Sequence, residues 1–247
     1  MFIGREDDIQ GLMDLWKKST ASLVTCRGRR RIGKSTLIEE FAARSKVRFI
    51  EIAGEAPRPD MTNADQLASF GRQLAAQSDQ PRDKPPQDWF EAFQRLDKAL
   101  DSRKTVVFLD EISWMGQYDE GFPGELKTAW DTKLKKHPKL ILILCGSVSA
   151  WIEANILNNT GFAGRASQNL VIGELPLDRC REFWGRAASR IAPREILDVL
   201  SVTGGVPRYL EEIDPSLSAN ENIRRLCFRP KAILRDDFSK IFNSVFG

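Results

Sequence analysis

Histidine is almost missing from this chain: His137 is the only one in 247 residues. With no second imidazole there is no His-built metal site, and the one present lies just before Pro138 at an expected helix end, where an imidazolium would suit the helix dipole. Histidine-centred catalysis is therefore not expected. Cysteine is also sparse. Its four copies, Cys26, Cys145, Cys180 and Cys227, are far apart and include no C-x-x-C pair, so free thiols are expected rather than a zinc ribbon or a disulfide scaffold. No apolar run approaches the roughly 20 residues of a membrane span. The opening MFIGREDD is acidic where a signal peptide is basic and then apolar, which points to the cytoplasm. An excess of one charge is missing too: 37 basic residues face 34 acidic ones, and a net +3 is too small to argue for nucleic acid by itself. The guanine-reading tetrapeptide N-K-x-D occurs nowhere, which disfavours a GTPase.

What the chain does have is concentrated between Arg27 and Thr36, RGRRRIGKST. Gly28, Gly33, Lys34 and Ser35 occupy the fixed positions of G-x-x-x-x-G-K-[ST], after an apolar β-type run, Ser22 to Cys26, and before a helix-like run with Leu37, Ile38 and Phe41. Glycine at both ends lets the backbone approach a phosphate, so that the N–H groups of Arg29, Arg30, Arg31, Ile32, Gly33, Lys34, Ser35 and Thr36 face the anion. Lys34 would reach the β and γ phosphates, and the Ser35 hydroxyl would meet Mg²⁺. ATP and Mg²⁺ are the expected cofactors.

The remaining pattern alternates strand and helix, the signature of a parallel sheet wrapped by helices. Val47 to Ile52 is the second expected strand, and helices follow with Leu67, Phe70 and Leu74, then Trp89, Phe93, Leu96 and Leu100, in step. Between those helices, Gln77 to Gln87 is polar and proline-rich and is expected to be exposed. Thr105 to Glu111, TVVFLDE, is a buried strand ending in two carboxylates at the ligand edge. There Asp110 would hold Mg²⁺ and Glu111 would deprotonate the attacking water. After a helix with Leu126, Trp130 and Leu134, the fourth strand, Leu140 to Cys145, ends at Gly146-Ser147, and Ser147 is the candidate polar sensor between acids and γ-phosphate. Arg165 precedes a fifth strand, Asn169 to Ile172, and would neutralise transition-state charge in its own chain or across a subunit boundary. Further on, Asp178 to Ile191 and Pro193 to Val202 read as helices. The last expected helix, Asp236 to Phe246, carries a dense apolar stripe that calls for a partner.

Taken together, GRRRIGKS, FLDE, CGS, the Gly-Arg before the last strand and GGVPRYL resemble the archaeal-type ATPase family, a STAND- and AAA+-related branch of P-loop ATPases. The resemblance covers essentially the whole chain. It implies an α/β three-layer sandwich with a five-stranded parallel sheet of order 5-1-4-3-2, a core over 1–175 and a helical lid over 176–247. It also implies that Phe2 to Glu6, through Ile3, Gly4 and Arg5, lies near adenine, that Pro207 packs on the base, and that Glu111 is the catalytic base. Members of the family usually continue into a winged helix and a further domain, so a truncated chain is one expectation. The function implied is a Mg-dependent ATP-hydrolysing switch, with a slow-turnover scaffold or DNA-associated module as the alternative. A homo-oligomer and a protein partner on the C-terminal helix stay open as partner classes; DNA is weighed but not favoured, and no membrane partner is expected.

Overall fold

In the computed structural model, residues 2–80, 84–147 and 149–237 are described. The chain divides into two compact units: Arg5–Arg29 with Lys34–Ile172, and Met1–Gly4 with Arg30–Gly33 and Gly173–Gly247.

The first unit runs α1 (Glu6–Trp16), β1 (Ser22–Arg27), α2 (Lys34–Ser45), β2 (Arg48–Ala53), α3 (Asn63–Ala76), α4 (Trp89–Ala99), β3 (Thr105–Asp110), α5 (Ile112–Gly116), α6 (Phe122–Thr132), β4 (Leu140–Gly146), α7 (Ser149–Ile152) and β5 (Ala166–Val171). Its five strands pair in the order β2-β3-β4-β1-β5, all parallel, which is the expected order read from the opposite edge. Strands β1, β3 and β4 are the near-continuous apolar runs of the sequence and take the middle, where both faces are covered. Leu23, Val107, Leu109, Leu142 and Leu144 pack there against the inward faces of α3, α4 and α6. Phe70, Trp89 and Phe122 meet edge to face in that layer, with centroids 5.6 and 4.7 Å apart.

Register then lines up the strand ends. Ala53 stands beside Asp110, Cys26 beside Cys145, and Arg27 beside Gly146, so β1, β4, β3 and β2 all end at one edge. Strand β5 is parallel too: it starts at the opposite edge, where Ala166 pairs with Leu23, and ends beside Arg27 at Val171.

The free side of edge strand β2 is sealed by side chains. Gln66 Oε1 accepts the Glu55 N–H at 3.0 Å while its Nε2 donates to the Glu55 carbonyl at 2.9 Å. Gln73 makes the same pair of bonds to Ala53, at 2.9 and 2.8 Å, and Gln77 to Glu51, at 3.0 and 2.6 Å. Residues 51, 53 and 55 are alternate positions, the ones whose peptide groups face outward from an edge strand. Three primary amides on one helix flank thus stand in for a sixth strand. The sequence shows three glutamines at ordinary polar positions, and only the docking of α3 along β2 reveals their common use.

Two expectations need correction in detail. The connection Gln77 to Gln87 is only partly exposed among its described residues: Pro86 is buried and lies against Gly71, and Gln77 is tied to Glu51. The helix expected over Asp178 to Ile191 is interrupted, because Gly185 adopts φ 53 and ψ −132, which splits a 3₁₀ run over Arg181–Ser189.

That run belongs to the second unit, whose core joins Ile3, Leu175, Trp184, Ile196, Val199 and Leu210. Pro193–Thr203 is the longest helix among its described residues and has proline in its first turn, where no N–H partner is lost. Of the expected last helix, Asp236 and Asp237 are helical and the apolar stripe from Phe238 onward lies outside the described residues. Among the described residues no helix is long and apolar enough to cross a membrane.

Candidate functional site

The edge where the five strands end carries most of the residues singled out from the sequence. Chain leaving β1 at Arg27 turns through Gly28, with φ 154, and Gly33, with φ 90, before α2 starts at Lys34. Arg31 also takes positive φ, 68°, a conformation that costs an arginine about 1–2 kcal/mol and is held here by the turn. Arg29, Arg30 and Thr36 are exposed, whereas Ile32 is fully buried and anchors the loop.

Lys34 is buried, at 7% exposure. Its ammonium donates to the carbonyls of Gly28 and Arg29, at 2.8 and 3.1 Å. An ammonium has three donors, so the loop's own carbonyls aim the charge and leave one N–H for another acceptor. Next to it, the Ser35 hydroxyl donates to Asp110 Oδ2 at 2.8 Å, and Asp110 Oδ1 accepts the Glu111 N–H at 2.9 Å. Both carboxylate oxygens of Asp110 are thereby oriented. The donor set of Ser35 and Asp110 is hard oxygen only. It fits Mg²⁺, which takes its other ligands from phosphates and water; among the described residues no cluster of three or more His, Cys, Asp or Glu forms an all-protein cage.

Glu111 does not continue β3. It turns into the left-handed region, φ 47 and ψ 48, and becomes the residue from which α5 starts. That turn swings the second carboxylate away from the strand and toward the tip of β4, where Glu111 Oε2 accepts from the Ser147 N–H at 3.2 Å and from the Ser147 hydroxyl at 3.0 Å. Ser147, chosen for its place after a strand end, therefore touches Glu111 directly.

One residue at this edge escaped the sequence reading. Gly54, just past β2, donates its N–H to the Asp110 carbonyl at 2.9 Å. A Cβ on it would stand 2.7 Å from the Glu111 carbonyl oxygen and 3.1 Å from both Met115 N and Trp114 Cβ. The available signal was a glycine closing an alternating strand, FIEIAG, which marks a close backbone approach.

Arg165 is not brought to this edge. It precedes Ala166, which pairs near the start of β1, and its guanidinium grips Asp131 at 2.9 and 2.8 Å. The Arg165 fork holds the Asp131 carboxyl well below the usual carboxylate range, and Asp131 in turn raises Arg165. The expectation that Arg165 reaches a phosphate of its own chain is thus corrected: parallel topology puts the start of β5 at the far end of β1. Arg5, with φ 68, sits at the start of α1, where burial lowers its guanidinium from its ordinary value.

In the second unit, Ile3 is buried at 7% exposure, and Gly4, with φ 70, has Leu175 Cδ2 3.0 Å from where its Cβ would be. Pro207 Cγ lies 3.7 Å from the corresponding point on Gly33, the last glycine of the loop. Arg31 forms an ion pair with Asp237. Arg208 pairs with Glu212 at 2.7 Å.

Comparison with known proteins agrees with this geometry. A family described as an ATPase domain predominantly from Archaea matches residues 2–213. An uncharacterized protein of Methanocaldococcus jannaschii is 22% identical over 214 residues, which is 86% of this chain and 44% of that protein. The chain thus spans less than half the length of that relative. Among solved structures, a Walker-type ATPase of Pyrococcus abyssi superposes with a TM-score of 0.64 at 17% identity, over 100% of this chain and 74% of that one. The Thermotoga maritima RuvB Holliday junction branch migration motor gives 0.55 at 14% identity, over 99% and 78%. At such identities these structures share a fold with this chain.

Proposed function

Because the chain belongs to the family of ATPase domains found predominantly in Archaea, we propose that it binds ATP with Mg²⁺ at the Gly28–Ser35 loop and hydrolyses the β–γ phosphoanhydride. The observation that carries this reading is the joined set Ser35–Asp110–Glu111–Ser147. A hydroxyl and a carboxylate 2.8 Å apart stand beside a second carboxylate aimed off the strand. Mg²⁺, when bound, supplies charge neutralisation for the phosphates, with Ser35 and Asp110 as its protein-side oxygens.

The chain's own groups have distinct parts. Lys34 and the loop amides hold the phosphates and stabilise negative charge as it grows on the leaving oxygen. Glu111 takes a proton from the attacking water, whose oxygen bonds to the γ-phosphorus as the bond to ADP breaks. Ser147, bonded to Glu111, holds the carboxylate until the γ-phosphate is in place. Ile3, Gly4, Arg5 and Pro207 are assigned to the adenine from the family pattern, and the arginines of the loop to the phosphates. Arg165 keeps a role only toward a neighbouring subunit, in a homo-oligomer. Hydrolysis then serves as a conformational switch in the cytoplasm.

The test is turnover of ATP and GTP with and without Mg²⁺, over a range of protein concentration, on wild type and Glu111→Gln. Turnover specific to ATP, dependent on Mg²⁺ and lost in E111Q with ATP affinity retained is expected. Wild-type turnover by E111Q would refute the role of Glu111, and tight ATP binding without turnover in wild type would favour the scaffold alternative.

A further inference from the structure

The tip of β2 presses on the turn that presents Glu111, and the contact tolerates no side chain. We propose that Gly54 is a positioning residue for hydrolysis: by lacking a Cβ it allows the Glu111 peptide to sit in its left-handed turn, with the carboxylate beside Ser147. The inference rests on the reading of Glu111 as the general base.

Two groups of contacts define the pressure. Gly54 N–H holds the Asp110 carbonyl at 2.9 Å, which ties the tip to the residue just before the turn. The missing Cβ would lie 2.7 Å from the Glu111 carbonyl oxygen, where ordinary contact begins at 3.4 Å, so an added methyl forces about 0.7 Å of relative movement. Which side moves decides the outcome.

The β2 side is held on both flanks of Gly54. Gln73 clasps the N–H and C=O of Ala53, Gln66 clasps those of Glu55, and β2 itself pairs with β3 from Arg48 to Ala53. The other side is a five-residue helix started by a residue at φ 47, a single turn in which the Trp114 N–H holds the Glu111 carbonyl at 2.8 Å. Against two side-chain clasps and a strand ladder on the β2 side, this one bond gives way first, and Glu111 and the first turn of α5 yield. A displacement of that size at a proton-accepting carboxylate falls within the range where a 1 Å error lowers rate about 100-fold.

The groups assigned to the phosphates are held from elsewhere. Lys34 is aimed by the carbonyls of Gly28 and Arg29 on the loop after β1, and Asp110, whose carbonyl accepts from Gly54, keeps its carboxylate on Ser35 at 2.8 Å. The signature of Gly54 is thus a split, with loss in kcat and little change in ATP affinity.

The experiment compares wild type, Gly54→Ala, Gln73→Met and Glu111→Gln as full chains, reading the thermal midpoint, the Kd of a fluorescent ATP analogue and single-turnover rates. For G54A we expect a rate at least about tenfold lower, with Kd within about twofold of wild type. Q73M frees the backbone of Ala53 without adding a side chain, and its rate falls about threefold at unchanged Kd; this variant carries the test if G54A does not fold. A G54A rate within twofold of wild type overturns the proposal, as does an unchanged rate in Q73M. Failure of the base assignment looks different: E111Q then turns over like wild type, whatever Gly54 does.

Discussion

Replacing each glutamine of the β2 seal by methionine removes the amide while keeping the length of an unbranched side chain, so hydrogen bonding is separated from packing. The three sites make the same two bonds to one residue's peptide groups, but they differ in burial. Gln66 is 1% exposed, Gln73 is half-buried and Gln77 is exposed. A buried peptide group left without a partner costs about 1–3 kcal/mol, whereas one that water reaches loses about 0.5 kcal/mol or less. Gln66→Met strands both the N–H and the C=O of Glu55, so a loss of about 2–4 kcal/mol is expected; Gln73→Met falls near 1–2 kcal/mol and Gln77→Met below about 0.5. For a chain of this size each kcal/mol moves the thermal midpoint by about 2–4 °C. Circular-dichroism melts should therefore order the variants Q66M, Q73M, Q77M from most to least destabilised, with a gap of several degrees between the ends. Equal midpoints, or the reverse order, would show that these amides do not seal the strand and that hydrophobic packing alone docks α3.

Three further outcomes follow from the same geometry. Lys34→Ala removes the only ammonium that the loop carbonyls aim, and ATP affinity measured by titration should fall about 10- to 100-fold, as for loss of one charged hydrogen bond; unchanged affinity would remove the phosphate role of the loop. Asp131 has its pKa depressed by Arg165, so the pair stabilises the fold above the ordinary carboxylate range and this stability is lost as pH falls below about 4. Arg165→Ala should flatten the fall of the thermal midpoint between pH 6 and 2, and parallel profiles for the two proteins would contradict the pairing. Cys145 has its thiol pushed up by the hydrogen-bonded Cys26 and by burial, and Cys180 is raised by burial; with Cys26 they are nearly fully covered. In the native chain Cys227 alone should react with a thiol reagent; reaction of Cys26 or Cys145 before unfolding would count against the packing of β1 on β4, and reaction of Cys180 against the core of the second unit.

Local pattern was enough for much of this protein. Gly28, Gly33, Lys34 and Ser35 fill the spacing of the proposed phosphate loop, whose two glycines answer a requirement of their own backbone, and the strands around it are legible as short β-branched apolar runs. The acids at the end of TVVFLDE were legible for the same reason, since a strand that is apolar to its last residue has only its tip to offer. What the pattern left undecided was distance across the sheet. That Ser147 bonds Glu111, that Gly54 bears on it from the other side, that three glutamines replace a missing strand, and that Arg165 starts β5 far from the loop all depend on strand order and register. Those are set by how helices bury the two faces of the sheet, an interaction between segments up to 144 residues apart. Residue spacing determines what each segment is able to do; only the packing of one segment on another decides which of them meet.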